Sequence, residues 1–299
     1  MSWRLDVACM IEECPRILTE RRAVGLVWKP GRVEGEKLAE QVAQFLISRG
    51  IDVRVDSSSG SLKNQKATAT AIEDMDVDFV IPIGGDGTVL YTLSRLRNRA
   101  TPLFCINLGT IGFMTESDSA TALPSLQKII EGECIIERCI NLSSGVAKTR
   151  FEDALNEVYV TSQVHGRMLT FKTYIDGVHV SHGRADGIMA STPSGSSAYA
   201  LSAGGSILSP SVRALIVVPV CPPMSELRPM VVPDNSLIEI ELVKPGATGV
   251  VVIDGQTQSD VNPHDKVWVK KAKGVTRFIR MYDSYYDRLR SRLVTKEYR

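Results

Sequence analysis

The stretch Asp78-Phe79-Val80-Ile81-Pro82-Ile83-Gly84-Gly85-Asp86-Gly87-Thr88 decides the fold of the first half of the chain. Its first six residues form a short apolar run that predicts a buried strand. The glycines predict a tight turn, and a helix then opens with Val89, Leu93 and Leu96 on one face. A strand, a glycine turn and a helix in this order are typical of a parallel α/β sheet with ligands at the carboxyl ends of its strands.

Strands and helices alternate on the amino-terminal side of this stretch. Ala23–Trp28 is a short β-branched run that predicts a strand, and Ile51–Val55 predicts a second one. Between them, Glu36–Arg49 has apolar residues at helical spacing, and Gly50 follows where glycine often closes a helix. This order predicts an α/β N-terminal domain with a parallel sheet over residues 1–140.

The pattern changes near Asn141, after which short strands and turn signals follow one another. The runs that predict strands are Leu155–Val160, Leu169–Ile175, Val178–Ser181, Leu237–Leu242 and Gly249–Ile253. An Asp-Gly pair at the centre of Tyr174–His179 predicts a hairpin turn. We therefore expect a mostly antiparallel, β-rich C-terminal domain over residues 141–274. The basic segment 275–299 is expected to pack back on the first domain rather than to form a nucleic-acid-binding tail.

Composition and charge set limits on partners and compartment. A chain of 299 residues is long enough for two domains, and a net charge of +1 provides no global field for collecting nucleic acid or anionic membrane. We find no apolar run long enough to span a bilayer and no signal peptide, so we expect a cytoplasmic protein with no nucleic-acid and no membrane partner. The pairs Cys9/Cys14 and Cys134/Cys139 lack a nearby histidine, which favours reduced thiols over a zinc site.

The aspartate in the glycine turn has a specific chemical meaning. Glycines let a backbone approach an anion closely, and a helix N-terminus presents N–H groups to phosphate. An aspartate there repels phosphate unless it holds Mg²⁺ or accepts a proton from an attacking hydroxyl, so Gly84–Thr88 indicates phosphoryl transfer. The alternative is a plain strand-to-helix turn in which Asp86 caps the helix. Neither Gly-x-Gly-x-x-Gly nor a P-loop occurs, which argues against an ordinary Rossmann dehydrogenase and a P-loop kinase.

A second polar, glycine-rich segment covers Arg184–Tyr199, with the sequence RADGIMASTPSGSSAY. Pro193 and Gly195 predict a turn, and Ser196 and Ser197 can cap the segment that follows. Hydroxyls, backbone amides and an aromatic ring in one loop are what a nucleoside pocket requires. The alternative is a capped loop with a tyrosine that belongs to the core.

Together these motifs resemble those of the NAD kinases, which use ATP or polyphosphate as phosphoryl donor. The resemblance extends from about Ala23 to the C-terminus. The matching motifs are Gly84–Thr88, Asn107–Phe113, Asn156-Glu157-Val158, Asp186–Tyr199 with Gly204-Gly205, and Asp254-Gly255-Gln256. Diacylglycerol kinases, sphingosine kinases and phosphofructokinases share Gly-Gly-Asp-Gly, whereas the Asn-Glu and Thr-Pro-x-Gly-Ser-x-Ala-Tyr elements narrow the resemblance to NAD kinases.

The resemblance implies roles for the residues of the glycine turn. Asp86 would be the catalytic residue that accepts the proton of the 2′-hydroxyl on the adenosine ribose of NAD. Gly87 would lie beside this ligand, and Gly84, Gly85 and Thr88 would bind phosphate. No protein residue is identified from the sequence as a metal ligand, although Asp86 could contact the metal.

The resemblance also implies a set of residues that bind NAD. Asn156 and Glu157 would contact its ribose and adenine side, Asp186 its nicotinamide end, and Arg167 and Arg184 its phosphates, in some members across a subunit interface. The full set is Gly87, Asn156, Glu157, Arg167, Arg184, Asp186, Ser197, Ala198, Tyr199, Ala200, Leu201, Ser202 and Gln256.

Some of these residues differ from the family pattern, and others have a purely structural alternative to their implied role. Ser194 and Ser197 stand where many members have threonine, and Arg167 stands where some have histidine. Asn156 and Glu157 could be only the polar start of a strand, Asp254-Gly255 only a turn, and Arg184 part of a surface ion pair. His165 and His182 have no support from a motif and are expected at the surface.

The implied reaction needs a divalent metal ion, Mg²⁺ being the natural choice, with NAD and ATP or polyphosphate as substrates. We expect NAD to lie between the two domains and the chain to form a homodimer or homotetramer. One rival is a lipid or sugar kinase that shares only the glycine turn. The other is a nucleotide-sensing module without catalysis, which would bind NAD and form no NADP.

Overall fold

The computed structural model describes residues 11–13, 17–63, 66–109, 112–164, 166–223, 227–243, 248–282 and 285–293. The chain forms two units, one of Met1–Arg138 with Thr276–Arg299 and the other of Cys139–Val275. His165, Cys9 and Cys14 lie outside the described residues. Among the helices that are described, none is long and apolar enough to cross a membrane.

The first unit contains a parallel sheet, as predicted. Its six strands lie in the order β4-β3-β2-β5-β6-β7, and each neighbouring pair is parallel. These six strands are β2 Ala23–Trp28, β3 Asp52–Asp56, β4 Thr68–Thr70, β5 Phe79–Ile83, β6 Ile106–Asn107 and β7 Ser117–Asp118, and a further short strand, β1, covers Ile11–Glu13. The helices are α1 Val33–Ile47, α2 Asp86–Arg95 and α3 Ala122–Glu131, with a short 3₁₀ turn at Ile72–Asp74. Short β1 pairs outside this sheet with Ile135–Glu137.

The predicted helix Glu36–Arg49 begins earlier, at Val33, and ends at Ile47. Glu34 and Glu36 lie in its first turn, where a negative charge is stabilised by the helix dipole. Gly50 follows with φ +69°, a backbone conformation that glycine adopts at little cost. The apolar face of α1 and the strands beneath it form the core of this unit, which includes Leu38, Val42, Leu46, Phe79 and Ile81.

The order of the strands places a switch point beside the glycine turn. From β2 the chain continues to β3 and β4 on one side, and it then returns to β5, β6 and β7 on the other. Ligands of open α/β sheets bind outside the carboxyl ends of the strands where the order reverses in this way. Lys29 follows β2, and Gly84 follows β5, so both lie at this point.

The second unit is antiparallel, as predicted. Its elements are β9 Thr149–Arg150, β10 Glu157–Ser162, β11 Leu169–Ile175, β12 Val178–Ala185, β13 Gly187–Ser191, α4 Tyr199–Ser202, β14 Ala214–Val220, β15 Met230–Pro233, β16 Ile238–Leu242, β17 Gly249–Ile253 and β18 Thr257–Val261. Two long strands, β8 Ile135–Val146 and β19 Lys266–Arg280, contain the points where the chain passes between the units, and helix α5 Tyr285–Leu293 follows β19.

Two antiparallel sheets enclose the core of the second unit. One has the order β15-β14-β13-β10-β17-β18, and the other includes β16-β11-β12. Val158, Ile188 and Val251 of the first sheet and Phe171 and Ile240 of the second lie in one buried cluster. The opposite face of the first sheet is covered by Ala200 and Leu208, which pack on Met189, Ile216 and Val218.

Several local predictions for this unit are confirmed, and others need correction. Asp176 and Gly177 have φ +51° and +80° in the hairpin turn between β11 and β12. Strand β12 extends beyond the predicted Ser181 to Ala185, because it pairs with β11 along its whole length. The predicted strand Leu155–Val160 begins two residues later, at Glu157. Ser196 and Ser197 do not cap α4, whose N-terminus receives no side-chain hydrogen bond.

Candidate active site

The glycine turn lies at the carboxyl end of β5 and leads directly into α2. Gly85 is the N-cap residue, Asp86 is the first residue of the helix, and no side chain caps it. The alternative of a capping aspartate is therefore wrong. Gly84 lies so close to Thr88 that a Cβ there would collide with the threonine side chain, which explains why this position needs glycine.

The Asp86 carboxylate is held by a second loop of the same unit. The backbone N–H of Phe113 donates to Oδ2 at 3.1 Å, and that of Met114 donates to Oδ1 at 3.2 Å. Gly112 packs so closely against this carboxylate that a Cβ there would overlap Oδ1. Hydrogen bonds to both oxygens fix the plane of the carboxylate, as expected for a group that must meet a substrate atom in one orientation.

A cavity of about 670 Å³ opens at the switch point of the parallel sheet. Its lining combines Gly84, Gly85, Gly87 and Thr88 of the glycine turn with the cationic side chains of Lys29 and Arg32 and the rings of Trp28 and Tyr91. Cations and a helix N-terminus suit a polyphosphate chain, and aromatic rings suit a base or ribose. The volume lies within the roughly 300–1,000 Å³ typical of small-molecule pockets.

In the second unit, three polar segments gather at one end of the six-stranded sheet. Strand β10 runs antiparallel to both of its neighbours, and its register pairs Glu157 with Ser191 of β13 and Val158 with Ile253 of β17. The start of β10 therefore lies beside the ends of β13 and β17. This register brings Asn156 and Glu157 together with the loops that follow Ser191 and Ile253.

The start of β10 is fixed by Asp254, which follows β17. Its carboxylate accepts hydrogen bonds from the backbone N–H groups of Leu155 at 2.6 Å, Asn156 at 2.8 Å and Glu157 at 2.9 Å. The motif Asp254-Gly255 is thus more than a turn, since its aspartate organises backbone almost a hundred residues away in sequence. Asp254 and Gly255 have φ +49° and +67°, a conformation that Asp and Gly tolerate well.

The side chains of Asn156 and Glu157 are buried, being 3% and 8% exposed. Within the described residues, Asn156 Oδ1 and Glu157 Oε2 are buried without a hydrogen-bond partner. Such atoms are costly in a folded protein unless a ligand or water satisfies them. Burial raises the pKa of the Glu157 carboxyl to about 8, and the charge of Asp254 raises it as a second cause. These two residues are therefore more than the polar start of a strand.

The loop after β13 closes on the start of β10. Thr192 Oγ1 donates to the Leu155 carbonyl at 2.6 Å and accepts from the Gly195 N–H at 3.0 Å. A Cβ at Gly195 would collide with the Asn156 carbonyl, so this close approach requires glycine. Ser197 Oγ donates to the Ser194 carbonyl at 3.0 Å, so its hydroxyl is used within the turn.

Two tyrosines cover the sheet between Glu157 and the far end of β10. Tyr159 points to the same face as Glu157, because residues i and i+2 of a strand share a face. Its ring packs edge-on against that of Tyr199, with centroids 5.5 Å apart and an interplanar angle of 83°. Tyr199 is 44% exposed, so it is not a core tyrosine. Burial raises the pKa of Tyr159 to about 12, with smaller contributions from Tyr199 and Asp186.

Asp186 lies at the other end of this face. Its carbonyl accepts a hydrogen bond from Thr161 Oγ1 at 2.7 Å, and Thr161 pairs with Gly187 at the start of β13. The rise of a strand is about 3.3 Å per residue, so four residues of β10 separate Glu157 from Thr161 by about 13 Å. A face of this length is suited to an elongated ligand with recognition groups at both ends.

The remaining predicted residues lie at the edges of this face or in exposed positions. Within α4, Ala200 is buried, Leu201 is partly exposed and Ser202 is exposed. Ala198, the residue before α4, is partly exposed. Gln256 is exposed in the loop after β17. Arg184 is exposed opposite Thr170 in the β11–β12 hairpin, and Arg167 is exposed before β11. His182 is exposed, as expected.

Four residues that shape these two sites had no predicted site role: Gly112, Tyr159, Gly195 and Asp254. Alternation along β10 would have identified Tyr159, which stands two residues after Glu157. Gly112 and Asp254 lay inside recognised motifs, but their contacts are made with residues distant in sequence. Gly195 was assigned to a turn, and its close approach to Asn156 had no local signal.

Two family descriptions match the sequence. Residues 24–134 match the ATP-NAD kinase N-terminal domain, and residues 155–281 match the ATP-NAD kinase C-terminal domain. The chain belongs to the NAD kinase family. It is therefore a phosphotransferase, and the resemblance inferred from its motifs is confirmed. A lipid or sugar kinase that shares only the glycine turn is excluded.

Relatives of similar length support this assignment. The NAD kinase of Methanothermobacter thermautotrophicus is 36% identical over 272 residues, which cover 91% of this chain and 96% of the relative. The NAD kinase of Pyrococcus abyssi is 34% identical over 275 residues, which cover 90% of this chain and 99% of the relative.

Solved structures of two related kinases have the same fold. The NAD kinase of Archaeoglobus fulgidus, solved in complex with ATP, is 27% identical with a TM-score of 0.74 and covers 90% of this chain and 99% of its own. Yeast NADH kinase, solved with NADH, is 23% identical with a TM-score of 0.82 and covers 93% of this chain and 89% of its own. The second likeness concerns the fold alone.

Proposed function

We propose that this member of the NAD kinase family transfers the terminal phosphoryl group of ATP to the 2′-hydroxyl on the adenosine ribose of NAD, giving NADP. The observation that carries the assignment of the site is the Asp86 carboxylate, oriented by two backbone amides beside a glycine turn and a helix N-terminus. A related structure in complex with ATP supports ATP as the donor. Polyphosphate is a second proposed donor.

The donor is proposed to bind in the cavity at the switch point of the parallel sheet. The backbone amides at the start of α2 and the side chains of Lys29 and Arg32 would neutralise its phosphates, and Gly84, Gly85 and Thr88 would contact them. Trp28 and Tyr91 would pack on the nucleoside. These residues provide charge neutralisation and positioning, which account for most of the catalysis in phosphoryl transfer.

The residues around the start of β10 are proposed to bind NAD. Asn156 Oδ1 and the carboxyl of Glu157 would hydrogen-bond to hydroxyls or ring nitrogens of the adenosine, which would satisfy buried atoms that otherwise have no partner. Tyr199, with Ser197, Ala198, Ala200, Leu201 and Ser202 around it, would form a wall, and Asp186 would contact the far end of the dinucleotide. Gly87, Arg167, Arg184 and Gln256 complete the proposed set.

A divalent metal ion fits this donor set. The described residues include no group of three or more His, Cys, Asp or Glu that could hold a metal ion by itself. Mg²⁺ in kinases is commonly bound by one or two carboxylates together with substrate phosphates, and Asp86 would be such a carboxylate. Bound with the triphosphate, the ion would neutralise charge on the transferred group.

The proton balance assigns the task of Asp86. The ribose oxygen forms a bond to the terminal phosphorus as the bond from that phosphorus to the leaving diphosphate breaks. The hydroxyl proton passes to the Asp86 carboxylate. A ribose hydroxyl is a much weaker acid than a carboxyl group, and the transition state is loose, so the proton moves late and the orientation of Asp86 matters more than its strength as a base.

Incubation of the purified protein with NAD, Mg²⁺ and either ATP or polyphosphate tests the proposal, with NADP measured by an NADP-specific dehydrogenase. We expect NADP with at least one donor, and loss of about a hundredfold or more of kcat in Asp86→Asn. A parallel incubation with NADH in place of NAD tests whether NADH is also an acceptor. Tight NAD binding without NADP would favour the nucleotide-sensing module, and wild-type turnover by a folded Asp86→Asn would overturn the role of Asp86.

The proposed assembly is a homodimer or homotetramer, in which Arg167 and Arg184 could contact NAD bound to another subunit. Their exposed positions are compatible with that role. Light scattering measures the assembly directly, and Arg184→Ala is expected to raise the KM for NAD several-fold. The proposed compartment is the cytoplasm.

A further inference from the structure

A buried cluster of four charged side chains lies in the first unit. Arg280 donates from Nε to Glu137 at 2.6 Å, and its Nη1 lies 3.3 Å from Glu116. Arg288 lies 3.1 Å from Glu137 and 3.6 Å from Glu116. All four side chains are about 90% buried or more. Two guanidinium groups thus balance two carboxylates in a site where an unpaired charge would be costly.

One member of this cluster is connected to the loop Gly112–Met114, which holds the Asp86 carboxylate. Arg280 Nη1 donates a hydrogen bond to the carbonyl of Met114 at 2.9 Å. The N–H of the same Met114 donates to Asp86 Oδ1 at 3.2 Å. The two hydrogen bonds flank the Cα of Met114, so this residue is held from one side by a buried guanidinium and holds the Asp86 carboxylate on the other.

The loop is held close to the cluster at a second point. Met281, the residue after Arg280, donates its N–H to Glu116 Oε1 at 2.8 Å, and the Glu116 N–H donates to the Cys105 carbonyl at 2.9 Å. Both ends of Met114-Thr115-Glu116 are therefore anchored. Since hydrogen bonds to a charged group are stronger than neutral ones, Arg280 is a firm anchor for the Met114 carbonyl.

We infer that Arg280 is a positioning residue for Asp86: it fixes the Met114 carbonyl, and the Met114 amide in turn fixes the orientation of the Asp86 carboxylate. The inference rests on the proposed function, in which Asp86 accepts the proton of the ribose hydroxyl. Arg288 pairs with the same two carboxylates, whereas the hydrogen bond to Met114 comes from Arg280. The two arginines therefore form a matched pair for an experiment.

The test compares Arg280→Lys with Arg288→Lys. Both variants keep a positive charge beside Glu116 and Glu137, and both replace the several N–H donors of a guanidinium by a single ammonium group. We therefore expect similar losses in the free energy of unfolding. In Arg280→Lys the kcat is expected to fall about tenfold or more, with the KM values for NAD and ATP within about twofold of wild type. In Arg288→Lys the kcat is expected to stay within about threefold. Equal losses of kcat in the two variants would reduce Arg280 to a structural role.

A double variant covers the case in which Arg280→Lys does not fold. Arg280→Met combined with Glu137→Met replaces one buried ion pair by apolar side chains, which proteins often tolerate, and it leaves Arg288 paired with Glu116. This variant also removes the donor to the Met114 carbonyl. The same fall in kcat at unchanged KM is expected, and wild-type kcat in the folded double variant would overturn the inference.

An NMR measurement separates this inference from the proposed function. In protein labelled with ¹⁵N-methionine, the Met114 amide is identified by its loss in Met114→Leu. Its resonance is expected to shift in Arg280→Lys toward its position in Asp86→Asn, and to stay in place in Arg288→Lys. An unshifted Met114 amide in Arg280→Lys would overturn the inference even if the enzyme makes NADP. If wild type makes no NADP, the proposed function fails, while the amide shift still tests the link.

Discussion

At the residue scale, the carboxylate of Asp86, the proposed catalytic residue, packs against Gly112, which has no side chain. The Asp86 carboxylate occupies the space where a Cβ of residue 112 would lie. Local sequence predicted the glycine turn Gly84–Thr88, because strand, turn and helix signals are local. It did not predict this packing, since Gly112 and Asp86 belong to different motifs that are far apart in sequence, and no local pattern links them.

Replacing Gly112 by alanine is expected to displace the Asp86 carboxylate. A shift of about 1 Å can lower kcat about a hundredfold, whereas binding of ATP and NAD should change much less. Steady-state kinetics with both substrates measure this effect. Gly274→Ala is the matched control, because a Cβ there meets nothing within 4 Å. Equal kcat values for the two variants would contradict the close packing.

Glu157 makes stability depend on pH. Its pKa is raised from 4.5 to about 8, first by burial and second by the charge of Asp254. Because the folded value lies above the unfolded one, the stabilisation is full below pH 4.5 and is lost as the pH rises through about 8.

Denaturant unfolding between pH 5 and pH 8.5 measures the effect of Glu157. The free energy of unfolding of wild type is expected to fall by up to a few kcal/mol more than that of Glu157→Gln, since one pKa unit corresponds to about 1.4 kcal/mol. The difference between the two proteins isolates Glu157 from the other titrating groups. Parallel pH profiles would show that the Glu157 carboxyl titrates normally.

At the scale of elements, the hairpin β17–β18 serves as a support for the start of β10. Strands with clear alternation, such as Ile238–Leu242, and hairpins with an Asp-Gly turn were predicted correctly, because period and turn chemistry are visible in a few residues. The three hydrogen bonds from the start of β10 to Asp254 depend on which strands become neighbours. Sequence periodicity does not specify which strands pair in the sheet, so the hydrogen bonds between Asp254 and the start of β10 could not be predicted.

Asp254→Asn is expected to weaken that support with little change in backbone preference, since asparagine also tolerates a positive φ. The asparagine amide has one acceptor oxygen and one NH₂ group, and this NH₂ group would face backbone N–H donors, which cannot bond to it. We therefore expect a loss of about 2–4 kcal/mol in the free energy of unfolding. The KM for NAD is expected to rise about tenfold with that for ATP nearly unchanged. Asp260→Asn, at an exposed position of β18, is the control, and equal effects would contradict the support.

At the scale of the whole molecule, the two units have separate proposed tasks. The parallel unit carries the glycine turn and the cavity for the donor, and the antiparallel unit carries the buried Asn156 and Glu157. The structural class of each unit could be predicted from the sequence. The first unit alternates strands with helices and the second has one strand after another, and these two patterns are easily distinguished over more than a hundred residues. The residue roles proposed for each unit stay predictions.

Hydrogen exchange with each substrate tests this division. ATP with Mg²⁺ is expected to slow exchange at Gly84–Thr88, because these amides would bind phosphate. NAD is expected to slow exchange at Leu155–Glu157 and Thr192–Ser197. Mass spectrometry of the digested protein locates the protected segments. The assignment fails if NAD leaves both segments of the antiparallel unit unprotected, or if ATP leaves the glycine turn unchanged.

The first unit is completed by a segment that the ribosome makes after the second unit. Leu103 pairs with Arg277 and Ile279 through backbone hydrogen bonds, and Glu116 and Glu137 form ion pairs with Arg280 and Arg288. The antiparallel unit, Cys139–Val275, is synthesised in full before that segment emerges. A growing chain can therefore fold its second unit while the first still lacks Arg280 and Arg288, so the first unit is completed only after the second has been made.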